Sequence, residues 1–437
     1  MSMLILALLS FATFLLVEKL RKITKLENQI LYLLLGILVG FILQKTKYAT
    51  ITNLFPDIKF YTTIALLFMF FIAGFSINVS QLKKSGPVTA KLFSIPAYTE
   101  TLLISMLIFG LLQSLPWAGF DLVFAEALIA AAIFSGSSPA NTVSICIDMI
   151  SSGYTGKNNI PATMITASVI DSFITVPVIF LGLFLVLADE TGKKVSFKGV
   201  LIILIITLVG ILLSFGLGIL LGKVELLLSG CLFKKISKEN QSKFVDYFLI
   251  LAAFFIALGF GFLLHSIDIL QKVIALFSIL IMCAIGASIN FFDRSNAHEI
   301  IGREGNKLFG AFGMPAIFIY VGAIINIKAL FDPILLIVLV ILTFAAVLTK
   351  SKVAAFILRR DTYTKGERTF AALCYTPKGV GLINFSVIFG AILGTESALI
   401  AFMTMLATVS ILITMPIGIA GLHKAKGTLI PKVAEKD

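Results

Sequence analysis

The sequence predicts an all-α polytopic membrane protein, and three observations carry that expectation. Of the 437 residues, 59% are hydrophobic and only 13% are charged, about half the charge of an ordinary soluble domain. The apolar residues are gathered into runs long enough to cross a hydrocarbon core, which takes about 20 residues of helix. Polar stretches between the runs are short, and none has the size of a separate soluble domain. Soluble enzymes, disulfide scaffolds and disordered tails are excluded at this level.

Taken in order, thirteen spans are expected over about 2–18, 28–44, 60–78, 88–114, 122–150, 161–187, 198–222, 245–264, 269–291, 309–327, 332–358, 369–391 and 396–422. The first run is followed by Glu18, Lys19, Arg21, Lys22 and Lys25 and by no small-residue cleavage site, so it reads as a retained span. The fifth is interrupted by Ser135-Gly136-Ser137-Ser138-Pro139-Ala140-Asn141-Thr142 and the twelfth by Tyr375-Thr376-Pro377-Lys378-Gly379-Val380-Gly381. Proline removes a backbone donor and clashes with the preceding turn. Broken backbone is tolerated at membrane depth only where protein or a wet cavity surrounds it. The fifth and twelfth spans lie an odd number of crossings apart, so they run in opposite directions. Spans 2–6 against 9–13 would then form an inverted-topology repeat, the arrangement that places a transporter's binding site between two broken helices. A pair of plain proline kinks is the simpler alternative.

Net charge is +12, but the 35 Lys and Arg form no single patch, so nucleic acid is not an expected partner. Predicted cytoplasmic segments hold 23 of them and the external loops eight. That bias places the N-terminus outside and the C-terminus in the cytoplasm of a multi-pass cell-membrane protein. Cys146, Cys231, Cys283 and Cys374 have no metal-ligand or redox spacing and read as apolar filler. No metal site, cofactor or hydrolytic constellation is expected, and so no enzyme.

Ionisable residues deep in spans are costly and each needs an account. Asp171, near the middle of the sixth span, reads as functional. In the eleventh span, Lys350 is expected to snorkel to the interface and Lys352 to pair with a buried carboxylate. Lys378, inside the twelfth span's break, is placed to neutralise the carbonyl end of a broken helix. Glu100 either lines the ion path or is satisfied by neighbouring threonines.

Four motifs, in this order, resemble those of the monovalent cation:proton antiporter superfamily, especially bacterial sodium/proton antiporters of the NhaA/NapA fold. They are Phe71-Ile72-Ala73-Gly74-Phe75-Ser76-Ile77, the break Ser137-Ser138-Pro139-Ala140, the ion-site run Val169-Ile170-Asp171-Ser172 and the second break Thr376-Pro377-Lys378-Gly379. The spacing to Pro377 puts Lys352 at the family's intramembrane lysine. The resemblance covers nearly the whole chain. It implies a homodimer in the lipid bilayer, with scaffold or dimerisation helices in 1–78 and 245–327, core helices in 88–187 and 332–422, a linker helix over 198–222 and a cytoplasmic tail over 423–437.

One departure stands out. The family's ion site usually ends in an aspartate, and here Ser172 occupies that position after Asp171. An Asp171–Lys352 pair has no net charge, so a bound cation is balanced only if the lysine gives up its proton. The expectation is electroneutral exchange of Na+ or K+ for H+ by alternating access. Ser172, Ser138, Asn141 and Thr142 would supply neutral oxygens, and Ser137, Pro139, Pro377, Lys378 and Gly379 would shape the breaks. An uncoupled cation uniporter or sensor is the alternative, as is a sodium-coupled organic-solute symporter with the same crossed-helix arrangement.

Overall fold

A computed structural model describes residues 2–46, 51–77, 79–113, 123–190, 197–232, 238–266, 269–292, 299–379 and 398–432. Among these residues the chain is helical, with one isolated backbone bridge between Lys426 and Ile430. Helices α1 (Ser2–Thr24), α2 (Asn28–Thr46), the single turn α3 (Ile51–Leu54), α4 (Ile58–Phe75) and α5 (Val79–Gln113) follow the first four expected spans. The fifth span is cut into α6 (Phe124–Phe134) and α7 (Pro139–Ser151), with Pro139 opening the second piece. The sixth divides at Thr175 into α8 (Ile160–Ile174) and α9 (Val176–Glu190). Pro177 has no N–H to donate to the turn before it, and at the division the Thr175 hydroxyl donates to the carbonyl of Ala132 in α6.

Then come α10 (Phe197–Leu232), α11 (Lys238–Ser266), α12 (Ile269–Phe292), α13 (Glu299–Leu308) and α14 (Met314–Ile324), the last two joined through a π-turn over Phe309–Gly313. After the short α15 (Ile327–Leu330), α16 (Pro333–Ile357) begins at a full N-cap. The Asp332 carboxylate accepts from the N–H groups of Ile334 and Leu335, and Pro333 takes the position that needs no donor. Helix α17 (Lys365–Cys374) opens on a capping box between Thr364 and Glu367. It ends before Pro377, and the remainder of the twelfth span, 380–397, lies outside the described residues. The chain resumes in α18 (Ala398–Thr428), whose helical geometry fails at Lys426 and at Gly427, with Gly427 at φ 80°.

Among the described residues ten helical stretches are long and apolar enough to cross a membrane, two of them running through the α8–α9 and α13–α14 pairs. The difference from thirteen arises where the sequence is interrupted or short. The fifth span is two half-length helices, the twelfth is described only to its break, and α12 has a shorter qualifying apolar stretch. Many large apolar side chains, such as Leu212, Leu227 and Phe356, are exposed on the protein surface, as a lipid-facing exterior requires.

The chain forms two compact units. Among the described residues the first lies within 1–77 and 209–327. Its packing depends on small residues: a Cβ on Gly74 of α4 would overlap the backbone carbonyl of Cys283 in α12, so the two helices meet at backbone distance. The second lies within 79–208, 328–379 and 398–432 and holds every ionisable residue singled out within the spans.

Candidate functional site

Helix α6 ends at Phe134 in the middle of a span, leaving carbonyls that no further turn can satisfy. Two lysines from distant parts of the chain occupy that end. Lys378 Nζ donates to the carbonyls of Phe134 at 3.0 Å and Ser135 at 3.4 Å. Lys350 Nζ also donates to the Ser135 carbonyl. Both ammonium groups sit where the helix dipole is negative, and both side chains are fully buried.

Each lysine has its own carboxylate. Lys350 Nζ lies 2.7 Å from Asp171 Oδ2, and Lys378 Nζ hydrogen-bonds to Glu100 Oε1. The pairs are linked, since Lys350 Nζ is also 3.6 Å from Glu100 Oε2. All four side chains have no exposure to solvent. Asp171 Oδ2 additionally accepts the backbone N–H of Ser137 at 3.0 Å, on the approach to the positive N-terminal end of α7. The first break thus presents carbonyls to two amines and an amide to a carboxylate. Tyr375 closes the group from another side: its ring centroid is 5.1 Å from Lys350 Nζ and its hydroxyl donates to the Leu92 carbonyl.

The lysine facing Asp171 is Lys350, which corrects the assignment of Lys352. Lys352 is exposed, whereas Lys350 is buried and does not snorkel. The reason is helical register: two residues at about 100° each place a side chain on nearly the opposite face of α16. A residue count from Pro377 runs through a loop and into a broken segment, so it cannot fix that register. Glu100 is likewise held by two lysines and not by threonines, since the Thr101 hydroxyl donates to its own helix at Ala97.

The two breaks touch. The backbone N–H of Ser138 donates to the Pro377 carbonyl at 2.9 Å, and the Thr142 hydroxyl donates to the Cys374 carbonyl at 3.0 Å. A Cβ on Gly379 would overlap Ser138 Oγ, so glycine is what lets the second break lie against the first. The amide of Lys378 donates to the Thr414 hydroxyl of α18. Of the expected neutral ligands, Ser138 Oγ accepts from Asn141 Nδ2 at 3.0 Å and Thr142 is committed to Cys374. Among the break residues it is Ser137 that reaches Asp171. The side chains of Ser172 and Pro139 lie outside the described residues.

Position 350 gave no sequence signal that separated it from 352. The Glu100–Lys378 pairing, 278 residues apart, had none either.

The family model described as sodium/hydrogen exchanger, transmembrane, matches residues 5–422. The structure of the sodium proton antiporter MjNhaP1 from Methanocaldococcus jannaschii at pH 8 is similar to this chain at 18% identity and a TM-score of 0.65, covering 100% of both chains. An electron-microscopy structure of the same antiporter gives 17% identity and a TM-score of 0.66, covering 98% of this chain and 97% of that one. At such identity the likeness concerns the fold. No curated protein sequence matches this chain.

Proposed function

This chain belongs to the transmembrane sodium/hydrogen exchanger family, and from that premise we propose that it exchanges one Na+ or K+ for one H+ across the cell membrane without moving net charge. The observation that carries this reading is the fully buried Asp171–Lys350 pair at the contact of two broken helices. With both lysines protonated and both carboxylates ionised, the four-residue cluster is neutral. Adding a cation would leave a buried positive charge, which low dielectric penalises heavily. If Lys350 releases its proton to the side of the membrane the site faces, the incoming cation replaces that charge and neutrality is kept. One cation and one proton therefore exclude each other, which is what coupling requires.

Alternate opening of the site to each side would come from rocking of the bundle that carries the crossed breaks against a stationary scaffold, the usual behaviour of repeat-built transporters. On this reading the helices of 1–78 and 245–327 are the dimerisation scaffold and the breaks belong to the mobile core. Ser172, Ser138, Asn141 and Thr142 would supply neutral oxygens beside the breaks, and the C-terminal tail would be cytoplasmic, as the charge bias supports.

The test is flux in liposomes with a trapped pH dye. An inward sodium or potassium gradient should move protons outward at a rate unchanged when a potassium–valinomycin clamp sets the voltage. The Asp171→Asn protein, folded, should give no such signal. An undiminished signal in that variant would remove the pair from the mechanism, and cation flux without proton movement would favour a uniporter.

A further inference from the structure

We infer that Glu100 is the second carboxylate of the cation site, standing in from another helix for the acid that Ser172 does not supply. This rests on the exchange reading above and adds a cation ligand to it.

Four observations lead there. Glu100 and Asp171 face the same ammonium, Lys350 Nζ, at 3.6 and 2.7 Å. Each carboxylate spends one oxygen on a fixed partner: Glu100 Oε1 on Lys378, and Asp171 Oδ2 on Lys350 and the Ser137 amide. The other oxygen of each, Glu100 Oε2 and Asp171 Oδ1, accepts no hydrogen bond although both residues are wholly buried. A buried carboxylate oxygen left without a donor is costly, and two of them beside one displaceable ammonium are the oxygens a dehydrated alkali cation needs.

Charge makes the second acid necessary. Once Lys350 is neutral, Lys378 alone would cancel Asp171, and an arriving cation would find no attraction. With Glu100 present the emptied site carries one net negative charge. A monovalent ion brings it to zero, whereas a divalent ion would leave it positive. Had Glu100 served only to neutralise Lys378, a single oxygen would do that, and the second would have no reason to point at Lys350.

The experiment measures sodium, potassium and lithium protection of the purified full chain against thermal unfolding in detergent, with choline as the control, for the wild type and three variants. Glu100→Gln should need more than about tenfold higher cation for the same protection, the size of effect that follows loss of one partner from a buried charge cluster. Glu100→Asp should keep protection with altered preference between sodium and lithium. The double variant Glu100→Gln/Lys378→Gln restores the charge count without restoring the ligand, and it should stay weakened. Protection of the double variant equal to wild type would overturn the assignment, because it would show that Glu100 only balances Lys378. Absence of protection in the wild type would overturn it as well, while liposome flux independently judges the exchange reading. Conversely, protection that depends on Glu100 in a protein without proton flux would keep the ligand and discard the exchange.

Discussion

The backbone N–H of Ser138 donates to the carbonyl of Pro377 at 2.9 Å, so the two helix breaks are hydrogen-bonded to each other directly. Each break leaves backbone groups without a helical partner, and here one supplies what the other lacks. The contact also brings Lys378 to the carbonyls of Phe134 and Ser135. On the proposed exchange, function and folding are tied to the same few atoms, and variants here should affect both.

Gly379 is the closest point of that contact. Gly379→Ala should overpack against Ser138 and cost about 1–3 kcal/mol, read as a lower melting temperature of the detergent-solubilised protein and slower exchange. Ser138→Gly in the same chain removes the overlapping atoms and should recover part of the loss. A Gly379→Ala protein as stable and active as wild type would show that the breaks separate freely.

Lys350 and Lys352 should behave very differently. Lys350→Gln leaves Asp171 buried without its ammonium and should destabilise by about 3–5 kcal/mol while abolishing cation-driven proton movement. Lys352→Gln, at an exposed position, should stay within about 0.5 kcal/mol of wild type with flux intact. Heat-challenge chromatography and dye-loaded liposomes check both, and equal effects at the two positions would refute the register.

Away from the membrane-centre charges, Glu367 ties together two segments. Its carboxylate accepts from the amide and the side chain of Asn158 and from the amide and hydroxyl of Thr364, and it is almost fully buried. Glu367→Ala removes a capping box and leaves those donors unpaired, so a loss of about 1–3 kcal/mol is expected. Limited proteolysis should then cut between α7 and α8 faster than in wild type. An unaltered digestion rate would mean that Asn158 is held by other contacts.

Much of this arrangement was legible in the chain and some was not, for identifiable reasons. Asp171 and both breaks stood out because a charge or a proline in an apolar run has a local cost that nothing nearby offsets. Lys350 was passed over because choosing between 350 and 352 needs the rotation of α16 about its axis, and an all-round apolar helix gives no moment to fix it. Glu100 is ambiguous in the sequence for a different reason: its partner Lys378 sits in the distant second break, and no pattern along a sequence encodes which buried acid meets which buried base. The tenth span shows a third limit, since its π-turn over Phe309–Gly313 has no marker apart from glycines that could equally pack.

The carbonyl rim at the end of α6 has a consequence for how an ion is received. Ser135 offers its oxygen to the amine of Lys350, and on the exchange proposed above that oxygen would stay in place when the amine turned neutral and loosened its grip. A newcomer shedding its water would then meet a dipole already aimed and already dry, as if the departing ammonium had kept the berth warm. Helices that stop halfway through a bilayer are usually regarded as weaknesses; on the proposed exchange this one would keep a landing place that never has to be rebuilt between turnovers.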